Sequence, residues 1–333
     1  MVSLVGSGLS SVALGLLAHE LVGASAAFVL GMTLTIRIGV IVCLSPWAGM
    51  LADRMGSRRT LIFSDLFRAG VVLGLLFADA VWQIYVLCFF LHLGAASFTP
   101  VYKAVIPGVV AERDYPRALA WGTVAYDTAN ILSPVLAALV IAAVGFRGVF
   151  ALDAATFVWS AFLLLGLPRL GRAAAKTDRL QPHPLHGVKS MFARWPLRRS
   201  LLLALQVSVT GAFILVATVD FVKEELGLSD ASYAWVMAAY GLGSVAGALL
   251  YGSGGSRRRT RLYRAAAPGM LAALLIAGRT PSAVLLACGW ILAGAGQSIL
   301  GIRGNEWLAE NSAGAERPHI YAAHFSLSHA GWG

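Results

Sequence analysis

Long apolar runs alternate with short polar breaks along the whole chain. A helix that crosses a bilayer needs about 20 mostly apolar residues. Runs of that kind fall at about 2–19, 27–50, 61–79, 82–107, 117–141, 147–167, 199–222, 231–252, 262–279 and 282–303. One more begins near Pro318 and reaches Gly333. The pattern predicts an all-α, polytopic membrane protein of about ten spans plus part of an eleventh.

The breaks differ in charge. Of 26 Lys and Arg, 20 lie in alternate breaks, within 50–60, 108–117, 168–199, 253–264 and 303–317. The other set holds Arg147, Lys223 and Arg279, and Arg37, Arg68 and Lys103 fall within spans. Lys and Arg collect on the cytoplasmic side of a membrane protein. The N-terminus and the long central loop are therefore expected in the cytoplasm. That loop, basic and proline-bearing, divides the chain into 1–167, a linker 168–198, and 199–333. The halves echo each other. "GMLADRMGSRRTL" follows the second span, and "YGSGGSRRRTRL" follows the second span of the second half, without the Asp.

Composition sharpens the class. Of 333 residues 58% are hydrophobic and 13% charged, with mean hydropathy +0.74. Soluble domains carry about 25% charged residues. The net charge of +10 suggests nucleic acid only where bases and aromatics share a face. Here the bases sit in the breaks, so the expected partner is the lipid bilayer and not nucleic acid. Cys43, Cys88 and Cys288 each lie in an apolar run with no CxxC pair, which implies no disulfide framework and no metal site. No basic segment precedes the first run, as a removable leader would require.

The stretch Gly49, Leu51, Asp53, Arg54, Gly56, Arg58, Arg59 resembles the signature loop of the major facilitator superfamily. Ser57 stands where a basic residue is common. "ANILSPVLAA" from Ala129, with Ser133 and Pro134, is similar to that superfamily's helix-5 export motif, with small residues replacing its glycines. Around the spans the chain looks most like the macrolide/enterobactin efflux branch. The resemblance implies two six-helix bundles, the second incomplete here, and hence a fragment or a truncated product. It also implies a monomeric carrier of small molecules, coupled to protons, in a bacterial plasma membrane. The signature loop, with Asp65 and Arg68, would latch the two halves, Asp53 lying near the start of the eleventh helix. The central cavity would take Tyr102, His92, Gln206, Trp290 and Gln297.

Charge at bilayer depth is costly and is usually paired or turned to a cavity. Arg37 and Asp127 lie at similar depth and are expected to face inward and pair. That pair reads either as a coupling site or as an ion pair that fixes packing. Asp65, Arg68 and Lys103, with Asp53 and Arg58, read either as a cytoplasmic network or as solvated side chains. His92 reads as a proton relay or as a polar packing residue. Asp153 and Asp220 are expected to be wet, and Trp47, Trp82, Trp159 and Trp235 to anchor at interfaces. "GLGSVAG" at Gly241 matches a dinucleotide fingerprint, but inside a span it reads as close helix packing. No nucleotide loop or catalytic constellation occurs, so no enzyme and no cofactor are expected. The favoured function is gradient-driven efflux of a hydrophobic drug-like compound or a siderophore. A metabolite importer of the same superfamily and a non-transporting remnant stand as alternatives.

Overall fold

The computed structural model describes residues 2–167, 183–277, 282–312 and 314–332. Among them the chain is helical and contains no strand. The α-helices are α1 Val2–Val22, α2 Ala26–Leu44, α3 Trp47–Met55, α4 Ser57–Leu75, α5 Val81–Val109, α6 Tyr115–Leu164, α7 His186–Ala193, α8 Trp195–Asp220, α9 Asp230–Gly252, α10 Ser256–Ala277, α11 Ala283–Glu310 and α12 Arg317–His329.

Local chemistry sets the joints. The second expected span is split into α2 and α3 at Ser45 and Pro46, where proline supplies no N–H to the helical ladder. Gly56 joins α3 to α4 with φ 83°, a left-handed turn that favours glycine. The fifth and sixth expected spans run together as α6. They are broken at Gly145, with φ 71° and ψ 163°.

Among the described residues, six helical segments are long and apolar enough to cross a membrane: Ser3–Leu44, Val81–Val109, Glu112–Leu164, Trp195–Glu225, Ala231–Gly252 and Ala283–Glu310. The first and third each take in two expected spans. The protein is an integral membrane protein. Its outer faces show the same character, with Val135, Leu139, Phe162 and Val216 more than half exposed, an apolar girdle that water would not favour.

The first bundle packs α1, α4, α5 and α6 around Leu17, Leu75, Ile84, Phe150 and Phe157. Gly8 of α1 closes onto Ser133 of α6, leaving no room for a Cβ. Ser133 donates to the Ala129 carbonyl at 2.5 Å, and Pro134 is exposed. In the second bundle Gly243 and Gly247 of α9 meet the backbone of Ile291 and Ala295 on α11. The fingerprint-like "GLGSVAG" is therefore a packing seam in mid-helix. Of the expected linker, residues 168–182 lie outside the described residues, as does Arg279.

Candidate functional site

The arginine-rich breaks gather at one end of the bundle, and the two halves are tied together there. In α3, Gly49 and Asp53 are one turn apart and share a face. His319, in the first turn of α12, packs on that face. Its Nε2 lies 2.6 Å from Asp53 Oδ2. A Cβ on Gly49 would stand 2.6 Å from His319 Nδ1 and 2.9 Å from its Cα, so only glycine admits the ring. The linker helix α7 closes the other side, where Gly187 is pressed against the His319 carbonyl. The His186 ring meets the His319 ring edge-on at 5.9 Å. Beyond α7, Arg194 grips Glu316 through two bonds of 2.5 and 2.6 Å. That carboxylate holds the Arg194 guanidinium above its ordinary value.

Further ties cross between the halves. Tyr115 Oη of α6 and Tyr321 Oη of α12 lie 3.0 Å apart. Ser326 of α12 donates to the Val42 carbonyl of α2 at 2.5 Å. Ser244 of α9 donates to Asp127 of α6 at 2.5 Å, with the Ser298 hydroxyl another 2.5 Å away. Along the α6–α9 seam, Gly252 approaches Ala120 and Gly241 approaches Ile131. The seam thus runs antiparallel over roughly 16 Å, at 1.5 Å per residue.

The expected charge network is rearranged. Arg58 does not meet Asp53; it donates to the Leu165 carbonyl beyond the end of α6, where carbonyls lack helical partners. Arg54 and Arg59 are exposed. Asp65 and Arg68 pair with each other inside the first bundle, away from the tie between the halves. The Arg68 guanidinium lies 4.5 Å from the Phe98 ring centroid and 4.4 Å from that of Phe157. Lys103 faces Phe325, 5.8 Å from its ring centroid, and takes no part in a network with Asp53. Arg37 is not the partner of Asp127, whose bond is to Ser244. Asp153 is not wet: it is buried against α1, where it blocks a Cβ on Gly6.

The expected cavity set also divides. Trp290 is fully buried in the second bundle and donates to Thr218 at 2.6 Å, so it is a core residue. Tyr102 is exposed and stacked on Phe98. Gln206 is exposed, while Gln297 is half-buried with its Oε1 lacking a partner among the described residues. The echo loop of the second half turns inward instead of across. Its Arg259 meets Glu306 at 3.1 Å, and Glu306 also takes Tyr251 at 2.6 Å and Arg303 at 2.9 Å. A cleft of about 860 Å³ opens there, between Tyr115 and Pro116 of α6 and Arg264 and Trp307 of the second bundle.

The sequence reading missed His319, Gly187, Glu316 and Ser244. A histidine one position after Pro318 at a helix start was a visible signal for the first. The other three carry no local mark.

The model of the Major Facilitator Superfamily matches residues 1–333. The uncharacterized MFS-type transporter YfiS of Bacillus subtilis is 26% identical over 234 residues, 67% of this chain and 54% of that protein. The multidrug resistance protein MdtG of Citrobacter koseri is 28% identical over 160 residues, 47% of this chain and 39% of that protein. The chain thus aligns with about half or less of the curated relatives' length. A crystal structure of a bacterial homologue of the iron transporter ferroportin, in an outward-facing state, superposes with TM-score 0.77 at 15% identity. It covers 99% of this chain and 87% of that one. Two helical halves tied at one end, and a family match along the entire length, lead to one conclusion: the chain belongs to the Major Facilitator Superfamily, a family of membrane transporters and not of enzymes.

Proposed function

We propose that the chain is a secondary active transporter that works by alternating access, exporting a hydrophobic drug-like compound or a siderophore at the expense of a proton gradient. One observation carries the reading. The ties between the halves run from the arginine-rich end to mid-length, as Asp53–His319, Tyr115–Tyr321, Ser326–Val42 and Asp127–Ser244. With the arginine-rich end in the cytoplasm, this is a carrier held closed on the inside. Alternation then requires the Asp53–His319, Tyr115–Tyr321 and Ser326–Val42 ties to part while the far end closes.

Asp127 is the proposed proton carrier. It lies on the seam, and its partner there is a hydroxyl, not a cation. As a carboxylate it accepts from Ser244; protonation cancels its charge and adds an O–H donor, so proton transfer changes the charge held at the seam between the halves. The test uses the purified full chain in proteoliposomes preloaded with carboxyfluorescein or rhodamine 123. A proton gradient should accelerate release of at least one dye. Asp127→Asn should abolish that acceleration and leave downhill exchange. Release of both dyes that ignores the gradient would reject the reading.

A further inference from the structure

Arg37, His92 and His329 come from three helices and stand at one level by register. Below them Val40, Ile41 and Ala96 are buried together with Phe325, joining α2, α5 and α12. On each helix the residue one turn from this plug, on the same face, is basic. Arg37 precedes Ile41 by four, His92 precedes Ala96 by four, and His329 follows Phe325 by four. α2 and α5 run toward the arginine-rich end and α12 runs away from it, so all three steps lead to the same side of the plug. The Ser326 bond to Val42 fixes the register of α12 on α2. The Phe325 and His329 rings lie 4.3 Å apart. Lys103 follows His92 by eleven, three helical turns down the same stripe, and its ammonium faces the Phe325 ring.

These bases are unbalanced. Arg37 is exposed although it lies on the packed face of α2, between Thr33 and Val40. It therefore borders the space between the helices. It is near enough to act on the charge of both His92 and His329, as Lys103 is on that of His329. Among the described residues no carboxylate pairs with any of the four. The acids of the neighbouring helices are engaged elsewhere: Asp53 with His319, Asp65 with Arg68, and Asp127 with Ser244. The Arg37 guanidinium and the Lys103 ammonium are positive charges without a counter-charge at membrane depth, which is costly. A guanidinium presents a fork that fits a carboxylate or a phosphonate.

We infer that Arg37, flanked by His92 and His329, binds the anionic group of the cargo, with Lys103 adding positive charge from beyond the plug, so that the substrate is an amphiphilic organic anion. Leu93, Ile36 and Phe325 offer the apolar wall for its body. This rests on the carrier reading above, which left the charge of the cargo open.

Carboxyfluorescein and rhodamine 123 share a xanthene body and differ in the sign of their charge. Anisotropy titration of the purified full chain in lipid nanodiscs should show the anion binding about tenfold or more tightly than the cation. Charge-assisted bonds are of that order. Arg37→Gln should weaken the anion about tenfold and Lys103→Gln by less, neither changing the cation, and Arg37→Lys should keep part of the affinity. The comparison of the two dyes on the unmodified chain needs no variant to fold. Equal or tighter binding of rhodamine, no binding of either dye, or carboxyfluorescein binding unmoved by both neutral variants would overturn the site. Gradient-driven release of rhodamine alone would sink the anion site and spare the carrier. Arg37-dependent binding of carboxyfluorescein without release of either dye would support the site and count against the carrier.

Discussion

His319 Nε2 meets Asp53 Oδ2 at 2.6 Å, joining residues 266 positions apart in the chain. The Asp53 side chain is a third exposed, so the bond is a wet one and its net worth is about 0.5–1.5 kcal/mol. That suits a contact that must break in each cycle. Asp53→Ala and His319→Ala should each lengthen the distance between spin labels placed on α3 and α12. The double variant should be no worse than the worse single, because the two act as one pair. Distances that stay unchanged in both singles would remove the latch role.

Packing around His319 should matter more than charge around it. Gly49→Ala sets a methyl against the His319 ring and backbone, and Gly187→Ala sets one against its carbonyl. Overpacking costs typically about 1–3 kcal/mol, so both should lower the thermal midpoint. Arg194→Gln removes a two-bond ion pair, but the Arg194 side chain is 44% exposed. Surface pairs are worth about 0–1 kcal/mol, so its midpoint should barely move. The reverse ranking in a melting series would refute this order.

Arg68→Leu should be the most damaging single change in the first bundle. It strands the fully buried Asp65 and removes a cation lying against two rings, a loss of about 3–5 kcal/mol. Monodisperse protein on size exclusion should fall sharply. Adding Asp65→Asn should recover it, since the stranded charge is then gone. A single variant that behaves as the parent does would contradict the buried pair.

Trp290→Phe separates a core role from a cargo role. The loss of its bond to Thr218 should lower the melting midpoint, while the relative rates for carboxyfluorescein and rhodamine stay as in the parent. A changed dye preference at unchanged stability would return Trp290 to the cavity.

The membrane architecture was legible because each span must be apolar by itself, a constraint that sequence carries locally. The loop from Gly49 to Arg59 was legible for a similar reason: a turn between spans concentrates glycine and charge in one short stretch. Partners were not. The depth estimate placed Arg37 and Asp127 at one level, and depth is a one-dimensional quantity. Which helix stands opposite is decided by packing: α2 faces α12, and α6 faces α9. Asp65 and Arg68 were readable as a pair from their i, i+3 spacing. That they serve the first bundle alone depends on Phe98 and Phe157, which arrive from other helices. Trp290 resembles a cavity aromatic in sequence because nothing local shows that Thr218 awaits its N–H.

Gly145 has open space around the position of a Cβ, yet its backbone angles lie in a region essentially reserved for glycine. The hinge between the two arms of α6 is therefore held by handedness and not by room. The mirror image of its φ and ψ falls at the edge of the extended region open to an L-residue. A D-alanine introduced at 145 by chemical ligation should fit with little strain, whereas L-alanine should cost about 1–3 kcal/mol. The bend is a chiral constraint, which widening the site cannot relieve and inverting one stereocentre can.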